Sequence, residues 1–372
     1  MSFFSVTKSC SSTKGRLGKL SFDNIRVETP VFMPVGTIGM IKCLTKDDIK
    51  STGYNLILNN AYHIFLRPGL DITEAAGGIK GLSGWDEGIL TDSGGFQIYS
   101  LAEFRKITDE GVYFRNHING SYHTFRPTDI IDIQRKIKSN IIMPLDECTA
   151  EGINKEYAAK AMERTHKWAE EQLKYNNTFD EKQKLFGIIQ GNMFEDLRKI
   201  SAETLVDMNF DGYSIGGLSV GEEKSIMYDL TDLTTDYIPE NKPRYLMGVG
   251  APEDLVEGVD RGIDMFDCVY PTRNARNASV FTKWGRINLL NKEHEKSFVQ
   301  IDDECLCYTC KNFSRAYLRH GFKSNDITSM RLATIHNLAY WKRLIDDIKA
   351  ALLNDRYKEF KKEFYENFKL KS

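Results

Sequence analysis

Eight short apolar runs between residues 30 and 270 constrain the fold of this chain more than any other feature. They lie near residues 31–35, 55–59, 87–91, 141–145, 185–189, 212–215, 245–249 and 265–269. Most are followed by Gly, Asp, Asn or Gln and then by a stretch with helical spacing. Thr45-Lys46-Asp47-Asp48 has the form of a capping box. Pro127-Thr128-Asp129 opens an amphipathic stretch carrying Ile130, Ile131, Ile133 and Ile137. Apolar strands alternating with helices imply parallel strands covered on both faces. Eight such units predict an α/β fold, a (β/α)8 TIM barrel, with its chemistry at the C-terminal ends of the strands. A doubly wound sheet is the competing architecture, but no Gly-x-Gly-x-x-Gly follows the first run.

Two segments break the rhythm. Residues 111–125 alternate apolar and polar around Asn119-Gly120, which predicts an inserted β-hairpin with a type I′ turn. Beyond about residue 280 the alternation gives way to a Cys-rich knot and two helical stretches, near 328–351 and 353–368. The expected organisation is a catalytic barrel core over 1–280. Residues 281–372 then form a metal-binding subdomain and C-terminal helices that complete the barrel.

No apolar run approaches the length of a membrane span, and the N-terminus lacks a basic-then-apolar leader. A cytoplasmic protein without membrane partners is expected. The net charge of −2 excludes a globally basic nucleic-acid coat. Residues 264–345 nevertheless hold 13 Lys and Arg against 8 Asp and Glu, a local excess that can steer an anionic partner.

The strand ends gather a consistent set of side chains: Asn59-Asn60 with His63, Asp92 to Gln97, Asp146-Glu147-Cys148, Gln190-Gly191, Gly216-Gly217-Leu218, Met247-Gly248 and Asp267. That set suits a flat heterocycle with several donors and acceptors. Asp146 and Gln190 can pair with its amino and carbonyl edges, Gly217 and Leu218 offer backbone groups, and Phe96 or Met247 can stack on its faces. Each glycine taken singly also serves a tight βα turn.

Residues 264–277 add the reactive element. A short apolar run delivers Asp267 to its end, and Arg273 and Arg276 follow at a spacing of three. A carboxylate beside paired guanidiniums suits chemistry on a sugar carbon that sits between phosphates. Asp92 and Asp267 together supply what a double displacement at an anomeric carbon needs, a nucleophile and an acid/base. The alternative for Asp92 is to cap a helix N-terminus.

Seven cysteines, an odd number with three crowded into 305–310, point away from a disulfide framework. Cys305-x-Cys307-x-x-Cys310 reads as three zinc thiolates. The fourth ligand is His336 or His320. His336 is preferred, because an adjacent helix can project it back onto the knot. Three thiolates and one imidazole close the coordination sphere, so one structural Zn2+ per subunit is expected.

In this order the motifs resemble those of the bacterial tRNA-guanine transglycosylase (queuine tRNA-ribosyltransferase) family over nearly the whole chain. The segments are 32–37, 91–97, 146–148, 190–191, 216–222, 245–250 and 264–276, with the Cys knot and its later His. The resemblance implies a zinc-bearing barrel that exchanges guanine at the wobble position (34) of GUN-anticodon tRNAs for a 7-deazaguanine, in queuosine biosynthesis. It implies that Asp267 is the nucleophile that attacks C1′ and that Asp92 is the general acid/base. Asp146, Gln190, Gly217 and Leu218 then hydrogen-bond the base, and Phe96 and Met247 sandwich it. Arg273 and Arg276 hold anticodon-loop phosphates, and Cys305, Cys307, Cys310 and His336 bind zinc. Cys148 and Val220 fit the pattern that favours preQ1 over queuine. A homodimer is also implied.

Tyr270, Ala251 and the Asn60-Ala61 pair depart from the usual family pattern, and none of them is expected to touch a catalytic group. The competing functions are an archaeal-type transglycosylase, a non-catalytic partner subunit and a nucleoside hydrolase. A partner subunit is expected to lose carboxylates that are present here. The arginine pair favours a polymeric, phosphate-bearing substrate over a free nucleoside.

Overall fold

The computed structural model describes residues 2–101, 104–181 and 183–368. All eight expected runs form strands of one parallel sheet: Val31–Pro34, Leu56–Asn60, Gly88–Asp92, Ile141–Ile142, Lys184–Ile189, Gly212–Ile215, Arg244–Leu246 and Met265–Cys268. The eighth strand pairs with the first, Asp267 opposite Met33. A parallel bridge between Val35 and Leu58 joins the first strand to the second and closes the barrel. Every residue of the first, second, sixth and seventh strands is buried, as expected for strands covered on both sides.

Inward-facing Met33, Leu58, Leu90, Ile141, Phe186, Ile188, Tyr245 and Met265 fill the barrel as a packed core. A three-stranded antiparallel sheet, Phe4–Ser9, Arg16–Phe22 and Ile25–Thr29, joins that core through Phe4, Leu20, Phe22 and Val27. Arg16 ties this sheet to the start of the eighth strand. Its guanidinium grips Asp264 in a bidentate pair at 2.6 and 3.0 Å, with both side chains buried.

The capping box at Thr45 starts the helix Lys46–Ser51, and Pro127 starts Pro127–Ile137, which buries the four expected isoleucines. The insertion after the third strand is larger than a hairpin. Arg105–Thr108, Gly111–Arg115 and Tyr122–Phe125 form a three-stranded antiparallel sheet. The turn also differs from type I′. Arg115 pairs with Tyr122 across a six-residue loop, and only Gly120, not Asn119, has positive φ. The loop is held instead by Asn side chains: Asn116 accepts from the Ile118 N–H at 2.8 Å and Asn119 from the Ser121 N–H at 3.0 Å.

The two C-terminal helical stretches are Ile327–Leu353 and Tyr357–Asn367. The longer helix lies against the short helix Tyr270–Arg276 that follows the eighth strand. Asn337 donates to the Pro271 and Ser279 carbonyls at 2.9 and 3.0 Å and accepts from the Phe281 N–H at 3.1 Å. Trp341 donates to the Gly250 carbonyl at 2.8 Å. The position of the arginine-bearing helix is thus fixed by the C-terminal region. None of the described helices is long and apolar enough to cross a membrane.

Candidate active site

Asp92 ends the third strand and Asp267 lies near the end of the eighth, so the barrel presents both carboxylates at one mouth. Ser93 accepts the Gly95 N–H at 3.3 Å, in the turn that leads into the helix Gly95–Leu101. Asp92 accepts from Asn60 Nδ2 at 2.6 Å, Gln97 Nε2 at 3.2 Å and the Ala61 N–H at 3.3 Å. The Asn60-Ala61 departure therefore does touch this carboxylate, because a residue that ends one strand borders the end of the next. Ala61 uses only its backbone there, so the contact does not depend on its side chain.

Asp267 is 8% exposed. Its Oδ1 accepts from the Tyr245 hydroxyl at 2.6 Å and the Gly248 N–H at 2.7 Å. Burial pushes this carboxyl up, while those two donors favour its charged form. Burial, and then the neighbouring Asp267 charge, push Asp92 further, to about 8. Two carboxyls whose surroundings drive them to different proton affinities fit one ionised and one protonated group at neutral pH.

Asp146 and Gln190 meet beside this pair, with Gln190 Nε2 donating to Asp146 Oδ2 at 2.7 Å. Burial raises Asp146 to about 6, which leaves it mostly ionised at neutral pH. Gly217 completes this wall with φ of +65°. A Cβ there would sit 2.4 Å from Gln190 Oε1, so a larger residue would have to displace the Gln190 amide as well as adopt a left-handed backbone. The next residue, Leu218, is buried. Cys148 adjoins Asp146, and burial holds its thiol protonated, pushed up to about 12. Phe96 is 50% exposed at the rim, and Met247 is half-buried next to Gly248.

Some strand-end residues do not join the mouth. Glu147 is buried and held by Arg164 and by the Tyr157 hydroxyl at 2.7 Å. Asn59 alternates away from Asn60 and packs beside Gly36. The structure adds Tyr245, which sequence reasoning gave no role, and makes Asn60 and Gln97, gathered from the sequence only as strand-end residues, donors to Asp92. It also adds Glu222, which accepts from the Ser219 N–H and from the Val220 N–H at 2.9 Å and so braces the loop after Leu218.

The family model described as Queuine tRNA-ribosyltransferase matches residues 10–370. The chain belongs to this family. A queuine tRNA-ribosyltransferase of Thermoanaerobacter sp. (strain X514) is 54% identical over 366 residues, covering 98% of this chain and 97% of its own. That of Bacillus subtilis (strain 168) is 47% identical over 365 residues, covering 98% and 96%.

In this family member Arg273 and Arg276 lie on the helix Tyr270–Arg276, directly after the Asp267 strand. Arg273 is exposed, and half-buried Arg276 donates to the Thr272 carbonyl at 2.9 Å. Tyr270 packs 5.6 Å from Phe281 and 6.2 Å from Trp341, an aromatic wedge beneath that helix.

Cys305, Cys307, Cys310 and His336 bring their ligand atoms within 4.8 Å of one another, which selects His336 over His320. His336 Nδ1 lies 3.2 Å from Cys310 Sγ and 3.7 Å from Cys307 Sγ. Tetrahedral zinc sets sulfur and nitrogen ligands roughly 3.5 Å apart. His336 Nε2 sits 2.8 Å from the Phe281 carbonyl, an acceptor that fixes the proton on Nε2 and leaves Nδ1 for a metal. The donor set fits zinc. Cys310→Ala is expected to lower zinc from about one per chain to near zero and Tm by roughly 5–10 °C. Metal analysis by mass spectrometry with parallel thermal melts checks it, and full zinc loading in the variant counts against the site.

Proposed function

We propose that this pentosyltransferase of the queuine tRNA-ribosyltransferase family exchanges guanine at position 34 of GUN-anticodon tRNAs for preQ1, in queuosine biosynthesis. The observation that carries this reading is the Asp92–Asp267 pair at one barrel mouth, both carboxyls raised by burial and Asp92 the further, beside the Asp146–Gln190–Gly217 wall. In the first displacement an Asp267 oxygen bonds to C1′, the C1′–N9 bond breaks, and the electron pair leaves on guanine. Asp92 supplies the proton that neutralises the departing base. In the second, the incoming base loses its N9 proton to Asp92 as N9 attacks C1′, and Asp267 departs as a carboxylate. The ester conserves the bond energy between the two steps, so no external energy source is required.

A carboxylate at Asp146 matches the N1–H and amino donors of guanine, and Gln190 with the Gly217 and Leu218 backbone meets its carbonyl. Phe96 and Met247 close on the two faces of the ring. Arg273 and Arg276 hold flanking phosphates, with Arg273 placed to reach solvent-side oxygens. The base leaves its stack to enter, at little cost in an anticodon loop. Cys148 and Val220 leave room suited to a small aminomethyl group, the basis for preferring preQ1 to queuine. Cys305, Cys307, Cys310 and His336 would hold a structural zinc that pins the Cys knot to the long helix Ile327–Leu353, against which the arginine-bearing helix packs, and that would take no part in the displacement. Residues 1–280 act as the catalytic core, 281–372 complete it, and the enzyme works in the cytoplasm as a homodimer.

Isotopically labelled guanine is expected to enter an unmodified tRNA at position 34 alone, and preQ1 to chase it out. Label at no position, with zinc-loaded protein and a cognate tRNA, contradicts base exchange. A higher kcat/KM for queuine than for preQ1 overturns the base assignment only.

A further inference from the structure

The inserted sheet presents an aromatic and basic face that the proposed chemistry does not use. Its inner face packs on the barrel: Phe114 lies 5.6 Å from Tyr62, and Phe125 lies 4.9 Å from Phe65. Strand alternation turns Tyr113 to the other face, beside Lys106 and Thr124, and sets Arg115 opposite Tyr122. Phe104, Tyr113 and Tyr122 are 47%, 40% and 55% exposed, too open for rings that only fill a core. They are nevertheless ordered as a group. Tyr113 and Tyr122 stack at 5.3 Å with planes 7° apart, and Phe104 meets each edge-on at 6.2 Å.

Two contacts hold this sheet beside the barrel mouth. His117, in the hairpin loop, stacks on Tyr62 at 5.6 Å, and Tyr62 abuts Gly94, two residues beyond Asp92. The Arg105 guanidinium on the edge strand lies 4.6 Å over the ring of Tyr99, on the helix Gly95–Leu101 that also carries Phe96.

The geometry points to this face as a nucleobase-stacking platform for the tRNA segment that flanks the reacting nucleotide. The inference rests on reading the chain as a tRNA-modifying enzyme. Lys106 and Arg115 flank the rings, and among the described residues the ladders place no Asp or Glu in the outward positions of this face. Cations beside open rings complement a phosphate backbone bearing unstacked bases, and rings accept any base. A second copy of this chain fits less well, since a symmetric contact would bring two identical cationic faces together.

The test is a Tyr113→Ser/Tyr122→Ser variant, both positions being exposed, with binding read by fluorescence anisotropy on an unmodified tRNA transcript with guanine at position 34. Affinity is expected to weaken about tenfold, with KM for tRNA rising in step and kcat and KM for free guanine within about twofold of the parent. Tyr113→Phe/Tyr122→Phe should restore tRNA affinity, because stacking needs only the ring. Unchanged tRNA affinity and KM overturn the platform. Loss of an oligomer in sedimentation, with tRNA affinity retained, would assign the face to a second copy instead. If the parent binds tRNA through these rings yet exchanges no base, the proposed function fails and the platform stands.

Discussion

Asp267→Asn is expected to lower base exchange by at least about 10^4-fold while leaving the fold and guanine binding in place. The amide retains an oxygen at Oδ1, so it still accepts from the Tyr245 hydroxyl and the Gly248 N–H that hold the parent carboxylate. What it loses is the charged oxygen that, in the proposed reaction, bonds to C1′. Tyr245 deepens the effect. Burial and the adjacent Asp267 charge keep its hydroxyl protonated, so it donates steadily and aims the second carboxylate oxygen. Denaturing electrophoresis of protein quenched with tRNA and no incoming base should show a covalent adduct in the parent and none in the variant. An adduct that persists in Asp267→Asn would place the nucleophile elsewhere. Activity within tenfold of the parent would remove covalent attack by this residue from the mechanism.

The barrel was legible because parallel strands buried on both faces are written as mostly apolar runs, even where, as in Gly212–Ile215, a Ser interrupts the run. The N-terminal sheet was missed although its signal is present. Leu20 and Phe22 on one strand, and Ile25 and Val27 on the next, alternate with polar neighbours across the two-residue turn Asp23-Asn24. Antiparallel pairing with one wet face alternates in this way, and a search tuned to unbroken apolar runs passes over it. The Asn119-Gly120 signal located the hairpin but not its turn. Side-chain acceptors on Asn116 and Asn119 stabilise a longer loop that a dipeptide rule does not anticipate.

At the site, the residue types that carry charge were the readable part. Asp92, Asp146 and Asp267 stand where polar groups end apolar runs, and three thiolates crowded within six residues suit a metal far better than core packing. Their supporting partners were harder to see, because Tyr245 looks like any core strand residue. Its inward direction follows only from strand parity with Met247, once the strand itself is placed. Glu147 shows the converse. It sits between Asp146 and Cys148, yet the turn of the backbone sends it to Arg164 and Tyr157, a choice no linear pattern records.

Asp92→Asn is expected to lower kcat by about 10^2- to 10^4-fold and to remove the alkaline limb of the pH profile. In the parent, burial and the Asp267 charge raise the Asp92 carboxyl from an ordinary 3.8 to about 8, so it carries a proton at pH 7, the one the proposed reaction delivers to departing guanine. Activity should therefore fall as pH rises through about 8, reported by the pair as a coupled unit. The same shift has a sign for stability. Unfolded chain releases this proton near the ordinary value, while folded protein holds it to about 8, so stability is fully present below the lower value and is lost progressively up to the higher one. Asparagine ionises in neither state and can still accept from Asn60 or Ala61. The variant should thus gain Tm relative to the parent as pH rises through this window, while its chemistry is crippled, a trade between stability and activity at one atom. Melts at several pH values, paired with single-turnover rates, check both halves. A pH profile in the variant that keeps the alkaline limb, or a Tm difference that does not grow with pH, would remove Asp92 as the buried acid.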